Sequence, residues 1–352
     1  MTSYFEQIEK FVEVRKRIFL LKADIPLEVI WRNNLNKNAI EQKEIISLCS
    51  KYFSEPPLQV DQLSNGGTFH TIYTVKFSGR KDVVVRANSI EHSYVGPDFY
   101  LDKYIGSKLN SLGLPALNVF HIDISRSVYP FDYQIIEKAN GTILNSINDQ
   151  KEFEKSVVIL GRFVAEYHKI KIGMFGPLNL LALIKSEEWK GLHDSWRDFL
   201  LLNLKQHVDL CVSANGLKPE EAIEINKKFE YPEYFNIGDG YLLHGDLGNH
   251  NIFVHNNQAL IIDWEDCIAG DPVFDISCWG SFYKNDSERA LELFLKGYKE
   301  KGKLPKDFFI RYWLYYLRIV LAKAVHRYKF RYSTLNEYKI KKALEKLNEL
   351  GL

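Results

Sequence analysis

Four side chains carry the clearest chemistry in this sequence: His244, Asp246 and Asn251 within HGDLGNHN, and Asp263 within IIDWEDC. A carboxylate and an amide oxygen suit a hard divalent cation, and Mg²⁺ is usually held by one or two protein oxygens together with phosphates of a substrate. With Asn251 and Asp263 in that role, Asp246 remains to orient a hydroxyl and accept its proton. The order of the segments brings the groups together. An apolar run, Tyr241-Leu242-Leu243, leads into the His244 loop, and Ile252-Phe253-Val254, a polar His255-Asn256-Asn257 and Ala259-Leu260-Ile261-Ile262 then read as a tight β-hairpin. Folding at the Asn pair would set Asp246 and Asn251, at one open end, opposite Asp263 at the other. A lone HGD or Asp-Trp is an ordinary turn; the ordered set in one short stretch is what carries the reading.

The elements that must position this stretch are legible in outline. Residues from about 3 to 53 read as two or three amphipathic helices, broken at Pro26 and across the Asn-rich 33–38. After Pro56-Pro57 the pattern turns β-like: 58–63, 71–77 and 83–86, with Ser64-Asn65-Gly66-Gly67 between the first two. A Gly pair there lets backbone N–H groups approach phosphates, although Asn-Gly is equally a hairpin signal. A helix at 98–112 follows, then β segments at 118–123 and 133–137 before Asn140-Gly141. Apolar residues Val157, Leu160, Phe163, Val164 and Tyr167 recur at a helical period from Glu152 to Ile170, with His168 placed as a cation at the helix end. Further helices are expected from Trp196 to Val212, at 285–301, and at 307–350 with a break near Ser333-Thr334.

The spacing H-x-D-x-x-x-x-N followed by an Asp at a strand end resembles the catalytic loop and metal-binding Asp of protein kinases. The variant HGD, together with IDWEDCIAGDPVFD, is similar to the aminoglycoside phosphotransferase family of small-molecule kinases, and FGP followed by SWRDFL resembles its hygromycin kinase-like branch. The resemblance is densest over 241–279 and looser over 58–200. It implies an α+β, two-lobed protein-kinase-like fold: a helical N-terminal extension at 1–57, a nucleotide-binding N-lobe at 58–137 and a helical C-lobe at 138–352. It also implies transfer of a γ-phosphoryl group from ATP or GTP, with Mg²⁺, to a hydroxyl.

On that resemblance Asp246 is the catalytic acceptor of the proton, and Asn251 and Asp263 are the metal ligands. Arg86 in VVVRAN stands where the family usually carries a phosphate-binding Lys, with Asp102 as its acidic partner. Ser64, Gly66 and Gly67 form the phosphate-covering loop. Glu137 to Ala139 become the hinge whose backbone meets the base. Asp271, the first Asp of GDPVFD, is expected to steady the catalytic loop. Arg for Lys is a departure, since a guanidinium fork binds phosphate differently from a point-charge ammonium.

Composition sets the limits. The 352 residues, 46% of them hydrophobic, can build two cores, and a net charge of +1 gives no electrostatic case for nucleic acid or a membrane surface. Cys49, Cys211, Cys267 and Cys278 lack CxxC spacing, so buried free thiols in a reducing cytoplasm are expected. The start of the chain has no signal-peptide pattern. Glu265, Asp266 and Asp271, with Asp194 and Asp198, favour a cationic acceptor, such as an aminoglycoside or aminocyclitol antibiotic whose phosphorylation would confer resistance. The rivals are a metabolic kinase for choline, homoserine or a thio-sugar, and a nucleotide-binding pseudokinase scaffold, the latter resting on Arg86. No function attaches to the extra residues before Ile40 beyond packing or oligomerisation.

Overall fold

Residues 4–28, 40–63, 70–88, 96–282, 288–331 and 337–352 are described by the computed structural model of the chain. They divide into two compact units, one made of Met1–Val14, Pro26–Gly141 and Leu260–Glu265, the other of Arg15–Ile25, Thr142–Ala259 and Asp266–Leu352.

The first unit is built on an antiparallel sheet of β1 (Gln59–Gln62), β2 (Thr71–Lys76), β3 (Val83–Asn88), β4 (Val119–Asp123) and β5 (Asp132–Glu137), in the order β1-β2-β3-β5-β4. Alternation along the strands gives the sheet its apolar face: Tyr73, Val75, Val83, Val85, Ala87 and Ile135 are buried. Helix Gln42–Phe53 covers that face with Ile45, Leu48 and Cys49, and it starts on a capping box in which the Glu41 N–H donates to Glu44 at 2.8 Å. Register then matters for chemistry, because Arg86 on β3 stands opposite Gln134 on β5. Helix Phe99–Ser111 supplies Asp102.

In the second unit helix Gln150–Tyr167 starts where Asp149 accepts the Glu152 N–H at 2.8 Å and buries Val157, Leu160 and Val164. It runs against helix Glu288–Lys299 with almost no side chain between the backbones. A Cβ on Gly161 would lie 2.1 Å from the Phe294 carbonyl oxygen, and one on Gly297 2.0 Å from that of Val158. The close crossing lets the His168 ring, just past the first helix, reach the Tyr298 hydroxyl at 3.1 Å. The remaining strands are short: β6 (Thr142–Ile143), β7 (Lys171–Ile172), β8 (Phe175–Leu178), β9 (Gly191–His193), β10 (Gly240–Leu243), β11 (Ile252–His255), β12 (Gln258–Ile261) and β13 (Ile268–Gly270). They form sheets of order β7-β10-β13-β8-β9 and β12-β11-β6. Helices Leu180–Ser186, Pro219–Lys228, Pro272–Ser281, Phe308–Lys329 and Glu337–Glu349 also belong to the unit.

One detail departs from the sequence reading. The helix expected from Trp196 to Val212 is two helices, Trp196–Leu201 and Leu204–Ser213, because Asn203 between them is left-handed at φ 57°. The break expected near Ser333-Thr334 falls outside the described residues. All four cysteines are free and buried. No helix among the described residues is long and apolar enough to cross a membrane.

The segment Arg15–Ile25 is built into the second unit rather than lying outside it. Asp24 accepts the Phe19 and Leu20 N–H groups at 2.8 and 3.1 Å and pairs with His207 at 2.7 Å, while Asn203 donates to the Arg17 carbonyl at 3.1 Å. Phe19 packs on Phe199, with the Arg318 guanidinium 3.5 Å from its ring centroid.

Gly161→Ala should overfill the helix crossing and lower stability by about 1–3 kcal/mol. Urea unfolding would show this as a lower midpoint at unchanged slope, and an unchanged midpoint would mean that the two backbones do not touch.

Candidate active site

The Arg86 guanidinium gathers the acids of the first unit. It donates through Nη1 to Asp102 Oδ2 at 2.7 Å, and through Nη2 to Asp263 Oδ1 and Glu265 Oε2, both at 2.7 Å. Burial would strip Arg86 of charge, but Asp263, Glu265 and Asp102 raise its pKa above the ordinary arginine value. Asp102 ties three segments together, accepting also from Gln134 Nε2 at 2.9 Å and from the Trp264 N–H at 2.9 Å. Its own pKa is raised by burial, with Arg86 opposing.

His70, at the start of β2, pairs with Glu265 at 3.0 Å and lies 3.7 Å from Asp98. Burial works against its charge, yet Glu265 prevails and its pKa is pushed up to about 9. Two cations therefore face four carboxylates. His70, Asp98 and Glu265 converge as metal ligands would, but the guanidinium already bonded to Glu265 supplies the positive charge there. Asp263 differs from its neighbours: 35% of its side chain is exposed, so an outside cation can reach it. Its backbone is left-handed at φ 70°, a conformation uncommon outside glycine and held here by the surrounding contacts.

In the second unit β10 delivers the chain into the His244 loop, and Asp275 holds that loop by its backbone. One carboxylate oxygen accepts the His244 N–H at 2.7 Å and the other the Gly245 N–H at 2.9 Å. Tyr167 donates its hydroxyl to the same carboxylate at 2.7 Å, and His168 Nε2 lies 3.3 Å away. Burial would raise the Asp275 pKa, but His168 and the loop hold it below the usual carboxylate range. Gly245 is left-handed at φ 81°, and a Cβ on it would lie 2.0 Å from the Asp266 carbonyl oxygen, so only glycine fits.

Asp246 follows directly and is largely buried. Burial would raise its pKa; Lys22 above all, then Lys323, hold it well below the ordinary range, so it is ionised. Asn251 donates from Nδ2 to the Asp246 carbonyl at 3.2 Å, which commits its nitrogen to the loop and makes Oδ1 the atom that could hold a metal. The expected turn after β11 is present, with Asn256 and Asn257 both left-handed at φ 49° and 60°, the pattern of a type I′ hairpin turn.

Sequence profile and fold agree on what this assembly is. The family model of the phosphotransferase enzyme family matches residues 60–309. The chain belongs to that family. No curated protein matches it. Among solved structures, aminoglycoside phosphotransferase APH(4)-Ia is 18% identical over 88% of this chain and 98% of its own, with a TM-score of 0.61. A Thermobifida fusca protein assigned as a fructosamine-3-kinase is 14% identical over 88% and 100%, with a TM-score of 0.64. Amicoumacin kinase hAmiN is 13% identical over 90% and 96%, with a TM-score of 0.60. The fold is thus the α+β, protein-kinase-like one, and the chain is a small-molecule phosphotransferase.

Not every residue singled out in this phosphotransferase lies where its sequence suggested. Arg86, Asp102 and Asp263 come together, as do Asp246 and Asn251. Ser64, Gly66 and Gly67 lie outside the described residues. Glu137 ends β5 apart from the Arg86 cluster: its N–H donates to the Asn118 carbonyl at 2.8 Å and its carboxylate accepts from Asn118 Nδ2 at 2.8 Å. Ala139, two residues on, is half-buried.

Asp271 does not steady the loop; that role is Asp275's. Asp271 caps helix Pro272–Ser281 through the Val273 N–H at 3.0 Å and accepts from Tyr315 at 2.9 Å and Arg311 at 3.1 Å. Likewise His168 is a buried member of the Asp275 network, not a solvent-facing charge on a helix end. His70, Gln134 and Tyr167 escaped the sequence reading because each meets its partner only across the fold.

The acids that favoured a cationic acceptor are mostly committed. Glu265 is bound by Arg86 and His70, Asp266 by Arg15 at 2.9 Å, and Asp271 by Tyr315 and Arg311. Asp194 and Asp198 are exposed.

A raised folded-state pKa means that charged His70 stabilises the fold fully below its unfolded pKa of about 6.5, and that this stabilisation fades as pH rises through about 9. Wild-type unfolding free energy should therefore decline over that window more steeply than that of His70→Gln. Parallel curves would remove His70 from the ion cluster.

Proposed function

We propose that this phosphotransferase moves the γ-phosphoryl group of ATP or GTP to a hydroxyl of a small molecule at Asp246. The observation that carries the reading is the ionised Asp246 on a loop clamped by Asp275, with the Asn251 amide fastened to the same loop. Asp246 orients the acceptor hydroxyl and takes its proton. Asn251 Oδ1 and the accessible Asp263 carboxylate are the hard oxygens suited to Mg²⁺. The excess of carboxylates over cations around Arg86 and His70 supports a divalent ion at Asp263, since added positive charge would neutralise that excess. When bound, Mg²⁺ screens the phosphate charge and aligns the triphosphate.

Arg86 has the charge to steady phosphates, and its three carboxylate bonds fix the fork in place. With a loose transition state, such positioning and charge neutralisation supply most of the acceleration. We assign the phosphate-covering role to the loop of Ser64, Gly66 and Gly67 and base contact to the backbone from Glu137 to Ala139, both on the family resemblance. The structural relatives include a ternary complex of APH(4)-Ia with ADP and hygromycin B and a complex of hAmiN with AMP-PNP and Ca²⁺, which support a nucleotide donor. Their acceptors differ, so they bear on the reaction more than on the acceptor. An aminoglycoside or aminocyclitol acceptor, and with it antibiotic resistance, rests on the FGP and SWRDFL resemblance alone, because the acids expected to attract a cation are mostly engaged.

Asp246→Asn should keep nucleotide affinity while lowering kcat by on the order of 10²–10⁴, the usual worth of a positioned proton acceptor. Full turnover would take Asp246 out of the mechanism. Asp263→Ala should leave a folded protein that no longer binds nucleotide more tightly when Mg²⁺ is added; titration calorimetry showing unchanged Mg²⁺ dependence would refute the metal assignment.

A further inference from the structure

One groove of the second unit is not used by the chemistry assigned to Asp246. It offers about 750 Å³ among the end of helix Gln150–Tyr167, helices Pro272–Ser281 and Glu288–Lys299, and the segments 236–241 and 301–305. All of its lining residues belong to that one unit. Small-molecule sites run from about 300 to 1,000 Å³, so the room suits a ligand rather than a few waters. Much of the lining is apolar: Val273, Ile276 and Tyr298 are buried, and Ile237, Leu304 and Pro305 are half-buried.

The charges around the groove do not balance. Lys169 and Lys301 share the Glu166 carboxylate at 2.7 and 3.9 Å. Arg311 meets Asp271 at 3.1 Å and Asp307 at 2.7 Å, and Asp239 meets Lys171 at 2.8 Å. Lys303 lines the groove and has no ion-pair partner among the described residues. Five cations therefore face four acids, and the one left over is Lys303. A neutral ligand would leave that charge unmet and a cation would add to it, whereas a single anionic group balances it.

The groove also touches the network that holds the His244 loop. His168 is one of its lining residues, and its ring meets the Tyr298 hydroxyl at 3.1 Å through Nδ1 and Asp275 at 3.3 Å through Nε2. Asp275 in turn accepts the His244 and Gly245 N–H groups. A continuous chain of hydrogen bonds thus leads from the groove to the loop.

We infer that this groove binds an amphipathic monoanion, an apolar chain bearing one carboxylate, and that the occupant regulates the His244 loop. The carboxylate pairs with Lys303, and the chain covers Val273, Ile276 and Tyr298. Covering Tyr298 takes water away from its hydrogen bond with His168, and a hydrogen bond strengthens as the local dielectric falls. Occupancy therefore tightens the hold of His168 on Asp275 and of Asp275 on the loop. Binding itself does not depend on the phosphotransferase reading, because none of these contacts involves nucleotide or acceptor.

The test titrates the full-length protein with octanoate, 1-octanol and octylamine, which share a chain and differ in charge, and with acetate, which has the charge without the chain. Calorimetry should show octanoate saturating one site per chain and binding about tenfold or more tighter than octanol, the worth of one charge-assisted hydrogen bond. Octylamine and acetate should bind more weakly still. Lys303→Glu should erase the preference for octanoate and Lys303→Arg should keep it. Gly238 lines the groove where a Cβ would meet nothing within 4 Å, so Gly238→Trp should take up room there and weaken octanoate and octanol alike. In the wild-type protein octanoate should slow hydrogen exchange at the His244 and Gly245 amides and leave helix Glu337–Glu349 unchanged.

No saturable binding of octanoate, equal binding of the three chains, or a preference unchanged in Lys303→Glu overturns the site. Saturable binding that leaves exchange at His244 and Gly245 unaltered overturns the regulation of the loop.

Discussion

The carboxylate of Asp275 is the point on which the second unit's chemistry depends. It is wholly buried, and it survives as an anion because both oxygens are satisfied by donors: two backbone N–H groups of the His244 loop, the Tyr167 hydroxyl and the His168 ring. The donors arrive in two adjacent pairs, His244 with Gly245 on the loop and Tyr167 with His168 at the end of helix Gln150–Tyr167. The glycine crossing of the two helices brings His168 to Tyr298, β10 brings the loop, and helix Pro272–Ser281 brings Asp275 itself. A buried anion with this many fixed donors admits one loop conformation, and Asp246, next in sequence, inherits its position.

The first unit solves a similar problem with opposite sign. Arg86 is a buried cation whose fork is filled by Asp102, Asp263 and Glu265, and those acids come from a helix and from the turn after β12. The guanidinium fork lets one side chain bond three carboxylates, which an ammonium cannot do with the same geometry. The cluster fixes Asp263 in a left-handed backbone while leaving its carboxylate accessible. Rigidity and access thus arise from the same set of bonds.

What could be read from sequence was what lies within short spans. The loop from His244 to Asn251, the turn at Asn256-Asn257, the helix carrying Asp102 and the strand carrying Arg86 are all set by local spacing, and the structure has each of them. Long-range pairings were invisible. Nothing near Asp271 and Asp275 in sequence says which one faces a loop some thirty residues earlier; one caps its own helix and the other turns inward. Charge was misleading for the same reason: acids clustered in sequence near Asp246 are neutralised by Arg15, Arg86, His70 and Arg311, whereas Lys22, distant in sequence, is a cation that lies beside it. Residues before Ile40 showed no role because the anchors of Arg15–Ile25, His207 and Asn203 among them, lie far along the chain.

The claim most open to direct measurement is that Asp275 holds the loop that positions Asp246. Asp275→Asn keeps the shape of the side chain but turns one acceptor oxygen into a donor facing the loop's own N–H groups, an exchange that leaves buried donors unsatisfied. Hydrogen exchange at the His244 and Gly245 amides, followed together with single-turnover phosphoryl transfer, reads both ends of the argument in one variant. The account predicts rapid exchange at those two amides and a collapse of the transfer rate, while amides in helix Gln150–Tyr167 stay protected. Undiminished protection at His244 and Gly245, or a wild-type transfer rate despite its loss, would contradict it.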